Sequence, residues 1–460
     1  MSEAATHSAR RSSLRRWTAT IRESIATELW PLPTLFIIIA VALGIALPLL
    51  DRAVDSSLAP GFERVLFAGG PEAARAVLSA VAGSLITATS LTFSLTVVAL
   101  QLASSQASPR VLRTFLKDPT VHWTLAVFVG TFAYSLTVLR TIQDGSDTFD
   151  PVVPRLAVTL ASLLTLASVV MLVLFLAHLA RQLRIETTMR QVYLETSSTI
   201  NLVASTMAVG RTELPEWPPD ERIEFSLATR SGFIRSTDRS RLLTIAIKYD
   251  VVVREEHTVG HHVVSKTPVA RWWPRDPMRH VDDEERDTIN RAIAGAVDLA
   301  YERTASQDIG FGIRQLVDIT ARALSPGVND PTTAVHTLGH ISATLCSLAE
   351  LPIQSMGLTD DDDLVRVIIK PHDFVSLLDI ALTQPRRYGA GDPGVVERLF
   401  QLLQEVGYRA ERSEQSEAVL QQIDRLEASV AAETYDFVER ERFAHFAEAA
   451  RAATVAHRWL

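Results

Sequence analysis

Between Ala76 and Pro109 the chain carries no charged side chain. The stretch reads AVLSAVAGSLITATSLTFSLTVVALQLASSQASP, apolar enough for a bilayer yet dense in Ser and Thr. A bilayer core of about 30 Å takes about 20 helical residues, so this run, about 50 Å long as one helix, would cross it and project beyond. Three further charge-free windows, Leu29–Leu50, Pro119–Leu139 and Leu156–Ala180, each have the length of a span. The pattern predicts a membrane region over 29–180 with four helices, near 30–50, 77–103, 120–139 and 156–179.

After Ala180 the periodicity becomes that of a water-soluble protein. A helical pattern continues to Met207, which predicts that the fourth helix runs on, and the proline-rich ELPEWPPD at Glu213–Asp220 closes a helical extension and linker over 181–220. Residues 221–280 predict a small β-rich module. Its strands are expected at Ser231–Ser236, Arg241–Tyr249, Val251–Glu255 and His262–Ala270, a pattern loosely like a barrel-sandwich module or any compact antiparallel unit. Residues 281–460 predict a mainly helical domain. Its helices are expected at Asp283–Ser306, Ile309–Leu324, Pro331–Leu348, Pro371–Leu382, Pro393–Val406 and one or two between Ser413 and Trp459, with one strand at Leu364–Lys370. Within Gln415–Val430 the stripe Leu420, Ile423, Leu426 suits a core face or a partner helix equally. The fold class expected is a polytopic α-helical membrane protein of four transmembrane helices, followed by an α+β cytosolic domain.

Charge sets the orientation. The basic cytoplasmic segment 1–28 holds Arg10, Arg11, Arg15, Arg16 and Arg22; the second connection holds Arg110, Arg113 and Lys117; and Arg181, Arg184 and Arg190 follow the last span. The third connection has Asp144, Asp147 and Asp150 and no basic residue, while the first is mixed. The positive-inside rule places both termini in the cytoplasm of a bacterial inner-membrane, multi-pass protein. The first apolar run is too long for a signal peptide, lacks an A-x-A-like site after it, and is expected to stay as a span. The net charge of −8 sums unlike environments, and no basic, aromatic-interleaved face points to nucleic acid. The single cysteine, Cys346, suits a reducing compartment.

The phase of the second helix suggests chemistry. Thr87, Ser90, Ser94 and Gln101 lie with Gly83 and Ser105 within about 40° of one line at 100° per residue, and a second polar strip runs through Thr89, Thr92 and Thr96. The first strip is the candidate pore lining of an oligomer passing ions or small solutes. The competing reading is helix packing, in which small residues let backbones approach and hydroxyls bond their own i−4 carbonyls. No charge lies deep in any span, which argues against a proton-coupled transporter or a voltage sensor.

A second dense segment, QDIGFGIRQLVDITARALSPGVNDPTTAV at Gln307–Val335, breaks one helix at Ser325-Pro326-Gly327 and opens another at Asn329-Asp330-Pro331. Asp330 as N-cap and Pro331 at N1 explain the residue types as structure; a ligand role for Asn329 and Asp330 is the alternative. His336 and His340 share a helix face without a third ligand, and Asp360–Asp363 lacks the alternation of a calcium loop. No Walker, G-x-S-x-G or dinucleotide motif occurs. These patterns give no catalytic residue, metal or cofactor.

TSLTFSLTVVALQLASSQASPRVLRTFLKD at Thr89–Asp118 and RALSPGVNDPTTA at Arg322–Ala334 together resemble domain of unknown function 2254, a bacterial family of predicted membrane proteins. The resemblance covers nearly the whole chain. It implies the four-span layout and the inner membrane and supplies no activity. The leading expectation is a homo-oligomeric channel or pore in the lipid bilayer with a cytosolic regulatory domain. The alternative is a membrane-anchored interaction or signalling module without transport, and a membrane-bound enzyme ranks third.

Overall fold

A computed structural model describes residues 30–54, 66–106, 118–143, 153–182, 184–207, 213–304, 307–351, 355–370 and 372–459. The segment 1–28, and with it Arg110, Arg113, Lys117, Asp144, Asp147 and Asp150, lies outside them. The chain forms two compact units, Met1–Thr187 and Thr188–Leu460.

The first unit holds α1 (Pro31–Val54), α2 (Pro71–Gln106), α3 (Pro119–Leu139) and α4 (Arg155–Gln182), each long and apolar enough to cross a membrane. Three of them open on a proline, whose missing N–H costs nothing in a first turn. The apolar window of α3 is 56% buried against 17%, 22% and 17% for α1, α2 and α4, so α3 is the centre about which the others pack. Small residues permit this. A Cβ on Gly44 of α1 would fall 2.8 Å from Thr137 Cβ, and one on Gly130 of α3 would fall 3.3 Å from Phe36 Cβ. Around Tyr134, Val138, Leu78 and Ala161 the four helices share one core. At one end the buried Asp51 carboxylate accepts from the Leu156 and Ala157 amides (3.0 and 3.3 Å), so a side chain of α1 satisfies the first turn of α4. The fourth helix does not run on to Met207: α4 ends at Gln182 and α5 occupies Ile185–Met207.

In the second unit a five-stranded sheet has the order β1-β5-β3-β8-β7, from β1 (Glu224–Leu227), β3 (Val251–Glu255), β5 (Pro268–Pro274), β7 (Met356–Thr359) and β8 (Val365–Ile369). Its pairs are antiparallel except β3 with β8. A three-stranded antiparallel sheet pairs β2 (Gly232–Thr237) with β4 (His262–Val263) and β6 (Val297–Ala300). The expected strand at Arg241–Tyr249 is a helix, α6 (Arg239–Lys248). Its buried Leu242, Ile245 and Ala246 follow i, i+3, i+4 spacing, and Asp238 caps it, which outweighs the β-branched composition. The expected helix Asp283–Ser306 stops early: α7 covers Asp283–Ala294, and Val297–Ala300 becomes β6. Strands β1 and β7 carry too little alternation to be seen in sequence, and two sheets replace the barrel-like module.

The remaining helices, α8 (Ile309–Ala323), α9 (Pro331–Ala349), α10 (Phe374–Gly389), α11 (Pro393–Arg409), α12 (Ser413–Ala431) and α13 (Phe437–Ala456), enclose one large core joined by α5 through Val192, Ile200 and Val203. Ile423 and Leu426 of α12 lie in that core, with Leu420 against it, so the stripe is a core face. The proline-rich linker is pinned: Trp217 packs on Trp273 (5.2 Å between ring centroids) and beneath the guanidinium of Arg254.

Candidate functional site

Helix α2 separates its two polar strips by face. Thr92 and Thr96 are buried with Leu85 and Ala99, and the Thr96 hydroxyl donates to its own i−4 carbonyl, Thr92 O (2.8 Å). Thr87, Ser90, Ser94 and Gln101 are exposed, as is Gly83, whose added Cβ would meet nothing within 4 Å. At 3.6 residues per turn the two sets lie about 180° apart. The candidate pore strip therefore points directly away from the helix's packing partners in its own chain. Exposed Ile86, Leu91, Phe93 and Val98 flank it.

Beside the buried strip lies a polar junction that sequence reasoning missed. Asp118 caps α3 by accepting from the Thr120 amide through Oδ1 (2.8 Å). Its Oδ2 is bonded to His178 Nε2 (2.5 Å) and accepts from Gln182 Nε2 (2.6 Å), with the carboxylate 5% exposed. A crevice of about 20 Å³, room for one water, opens there against Thr96, Ala99 and Phe175. The signal in the sequence was faint: Asp118-Pro119 reads as a cap, and His178 and Gln182 share a face at i, i+4. Nothing local tells that a carboxylate sixty residues earlier joins them.

Asn329 and Asp330 sit where one helix hands over to the next. Asn329 takes a left-handed backbone (φ +49°), which an amide side chain tolerates, and the Asp330 amide donates to Ala323 O (2.8 Å). The Asp330 carboxylate accepts from the Thr333 hydroxyl (2.6 Å) and the Thr333 amide (3.1 Å), which hold it below the usual carboxylate range. Among the described residues of this unit it is one of seven aspartates that cap helices, with Asp238, Asp282, Asp308, Asp373, Asp392 and Asp436. That regularity favours capping. Asp360 accepts from the Leu364 amide and from Arg366 Nε (2.6 Å), so the acidic run is a hairpin turn. His336 and His340 stack at 5.4 Å, and among the described residues no group of three or more His, Cys, Asp or Glu is placed to hold a metal.

Residues 26–405 match the model of the family described as "Predicted membrane protein (DUF2254)". This chain belongs to that family. Within the family match fall the α2 strip, the Asp118 junction and the SPGVNDP turn. Uncharacterized proteins of Mycobacterium bovis and of two Mycobacterium tuberculosis strains, H37Rv and CDC 1551, are each 32% identical over 440 residues, covering 95% of this chain and 82% of theirs. No solved structure matches.

The capping role yields a graded expectation. Asp330→Ala should destabilise the second unit by about 0.5–2 kcal/mol, the usual loss of an N-cap oxygen, and Asp330→Asn or Ser should recover most of it. Thermal melts of the full chain measure both. A depressed carboxylate stabilises above its unfolded pKa, so the wild-type advantage over Asp330→Asn should fade as pH drops into the acid range. Loss of function in the Asn and Ser variants with unchanged melting would instead make the carboxylate a ligand.

Proposed function

We propose that this protein is an integral inner-membrane protein with both termini cytoplasmic, and that several copies assemble as a homo-oligomer around a pore lined by α2. Arg181–Leu460 is then its cytosolic regulatory part. The observation that carries this reading is the direction of the Thr87–Ser90–Ser94–Gln101 strip. Thr87 donates to its own helix at Gly83 O (3.1 Å), while the serine hydroxyls and the Gln101 amide, turned away from the other helices of the first unit, are best met by water or by another copy. Packing within the chain already uses the opposite, buried strip, so it does not account for this one. Between Ala76 and Gln106 the helix offers no charged ring to select ions by sign.

Reconstitution of the purified protein into planar bilayers tests the reading: a conductance across several salts is expected. A silent protein, shown to be folded and oligomeric, would favour the membrane-anchored interaction module. Orientation has its own test. A cysteine at Ser146 should react with an impermeant thiol reagent outside intact cells and one at Ser413 should not; the reverse pattern inverts the topology.

A further inference from the structure

The parallel strands β3 and β8, with Val253 opposite Val367, end side by side and bring Glu255, Glu256 and Lys370 together. Glu255, 4% exposed, is held by Arg239 (3.0 and 3.3 Å) and by the Lys370 amide (3.2 Å). Glu256 is held by Arg271, and the Lys370 ammonium donates to the Glu256 carbonyl (2.7 Å). Both acids of this edge are thus committed to arginines. The chain then turns through Gly260, whose φ of +89° favours glycine and whose added Cβ would lie 2.1 Å from the Asp308 carboxylate. That fixed turn lays the His261 ring flat on His257, with centroids 4.2 Å apart and planes 3° apart.

We propose that the stacked rings of His257 and His261, with the Lys370 ammonium beside them, bind a doubly charged oxyanion of the phosphate class. Like-charge repulsion disfavours protons on two face-to-face imidazoles beside an ammonium, and negative charge that arrives with the protons removes that cost. Burial first, then the charges of His261 and Lys370, hold His257 below the ordinary imidazole range against the pull of Glu256 and of a hydrogen bond to the Pro268 carbonyl. Burial, Lys370 and His262 do the same to His261. The groups that act on the pair are Glu256 just past β3, the Pro268 carbonyl at the start of β5, Lys370 just past β8, and His262, whose ring stands edge-on to Phe233. A dianion receives N–H donors from both rings and from Lys370 and offsets the repulsion between the protonated rings. Binding therefore takes up protons, and affinity rises as pH falls.

Sulfate is the probe, because it stays a dianion across the range in which phosphate titrates. Full-length protein in detergent, labelled at histidine, is titrated with sulfate by NMR and by calorimetry. Saturable binding is expected, about tenfold tighter near pH 5.5 than near pH 7.5, with two imidazole signals moving to the charged position. Lys370→Gln and His261→Gln, both at exposed positions, should each weaken it about tenfold, and Lys248→Gln should leave it unchanged. Glycerol phosphate and short-chain phosphatidic acid then separate a free phosphate from a lipid headgroup by which binds more tightly. No saturable binding at either pH would overturn the proposal, whatever the variants do. So would binding that both Lys370→Gln and His261→Gln leave intact while their melts match the wild type.

Discussion

Ser94→Leu and Ser90→Leu should abolish or nearly abolish the bilayer conductance of the reconstituted protein. Each places an isobutyl group, once per protomer, on the α2 face opposite buried Thr92 and Thr96. If that face surrounds a narrow water column, a ring of such groups both narrows it and removes the hydroxyls that wet it, and hydrophobic constrictions close pores by dewetting. Leu91→Val, on an exposed flanking sector, should change conductance much less. A cysteine at Ser94 should be modified by small water-soluble thiol reagents although it lies well inside the span. Stability should hardly move in these variants, because both positions are exposed. An unreactive Ser94 cysteine in conducting protein would place the path elsewhere and leave the strip to contacts between copies.

Asp308→Ala should be among the most destabilising single changes in the second unit, about 3 kcal/mol, because it removes a buried carboxylate from an ion pair and a helix cap together. Its two oxygens grip the Arg303 guanidinium at 2.8 Å each, and Oδ1 also accepts from the Phe311 amide at 2.9 Å. The carboxylate is 2% exposed and Arg303 26%, so solvent screening moderates the loss of the pair without removing it. A shift of this size lowers the melting midpoint of a domain of this length by several degrees. Asp308→Asn keeps an oxygen for the cap and should cost about half as much. Gly260→Ala should produce a similar loss from the opposite side, since the new methyl meets the Asp308 carboxylate in a backbone region that disfavours it. Melting of the full chain at neutral pH measures all three; an Asp308→Ala protein that melts like the wild type would mean this junction is not part of the cooperative core.

The chain's own order made the four apolar helices legible, along with α8, α9, α11 and the strand β8. Each is a long periodic run or lies between strong local signals: a charge-free window of span length, an Asp-Pro opening, or a β-branched run ending at a proline. The polar strip on α2 was legible for the same reason, because the phase of a helix is fixed by residue number alone. Which of its two polar strips packs inward was not, since burial depends on where α3 and α4 lie. Arg241–Tyr249 misled for a related reason. Its β-branched residues suit a strand, and only the hydrophobic surface that accepts Leu242, Ile245 and Ala246 together makes it a helix. The Asp118–His178–Gln182 junction and the His257–His261 stack needed tertiary structure outright. The first joins residues far apart in sequence, and the second depends on a turn at Gly260 held against the buried Asp308. Local sequence determines periodicity, caps and breaks because those interactions span a few residues. The partners of buried polar groups are settled by desolvation, which acts only once distant segments have closed around them.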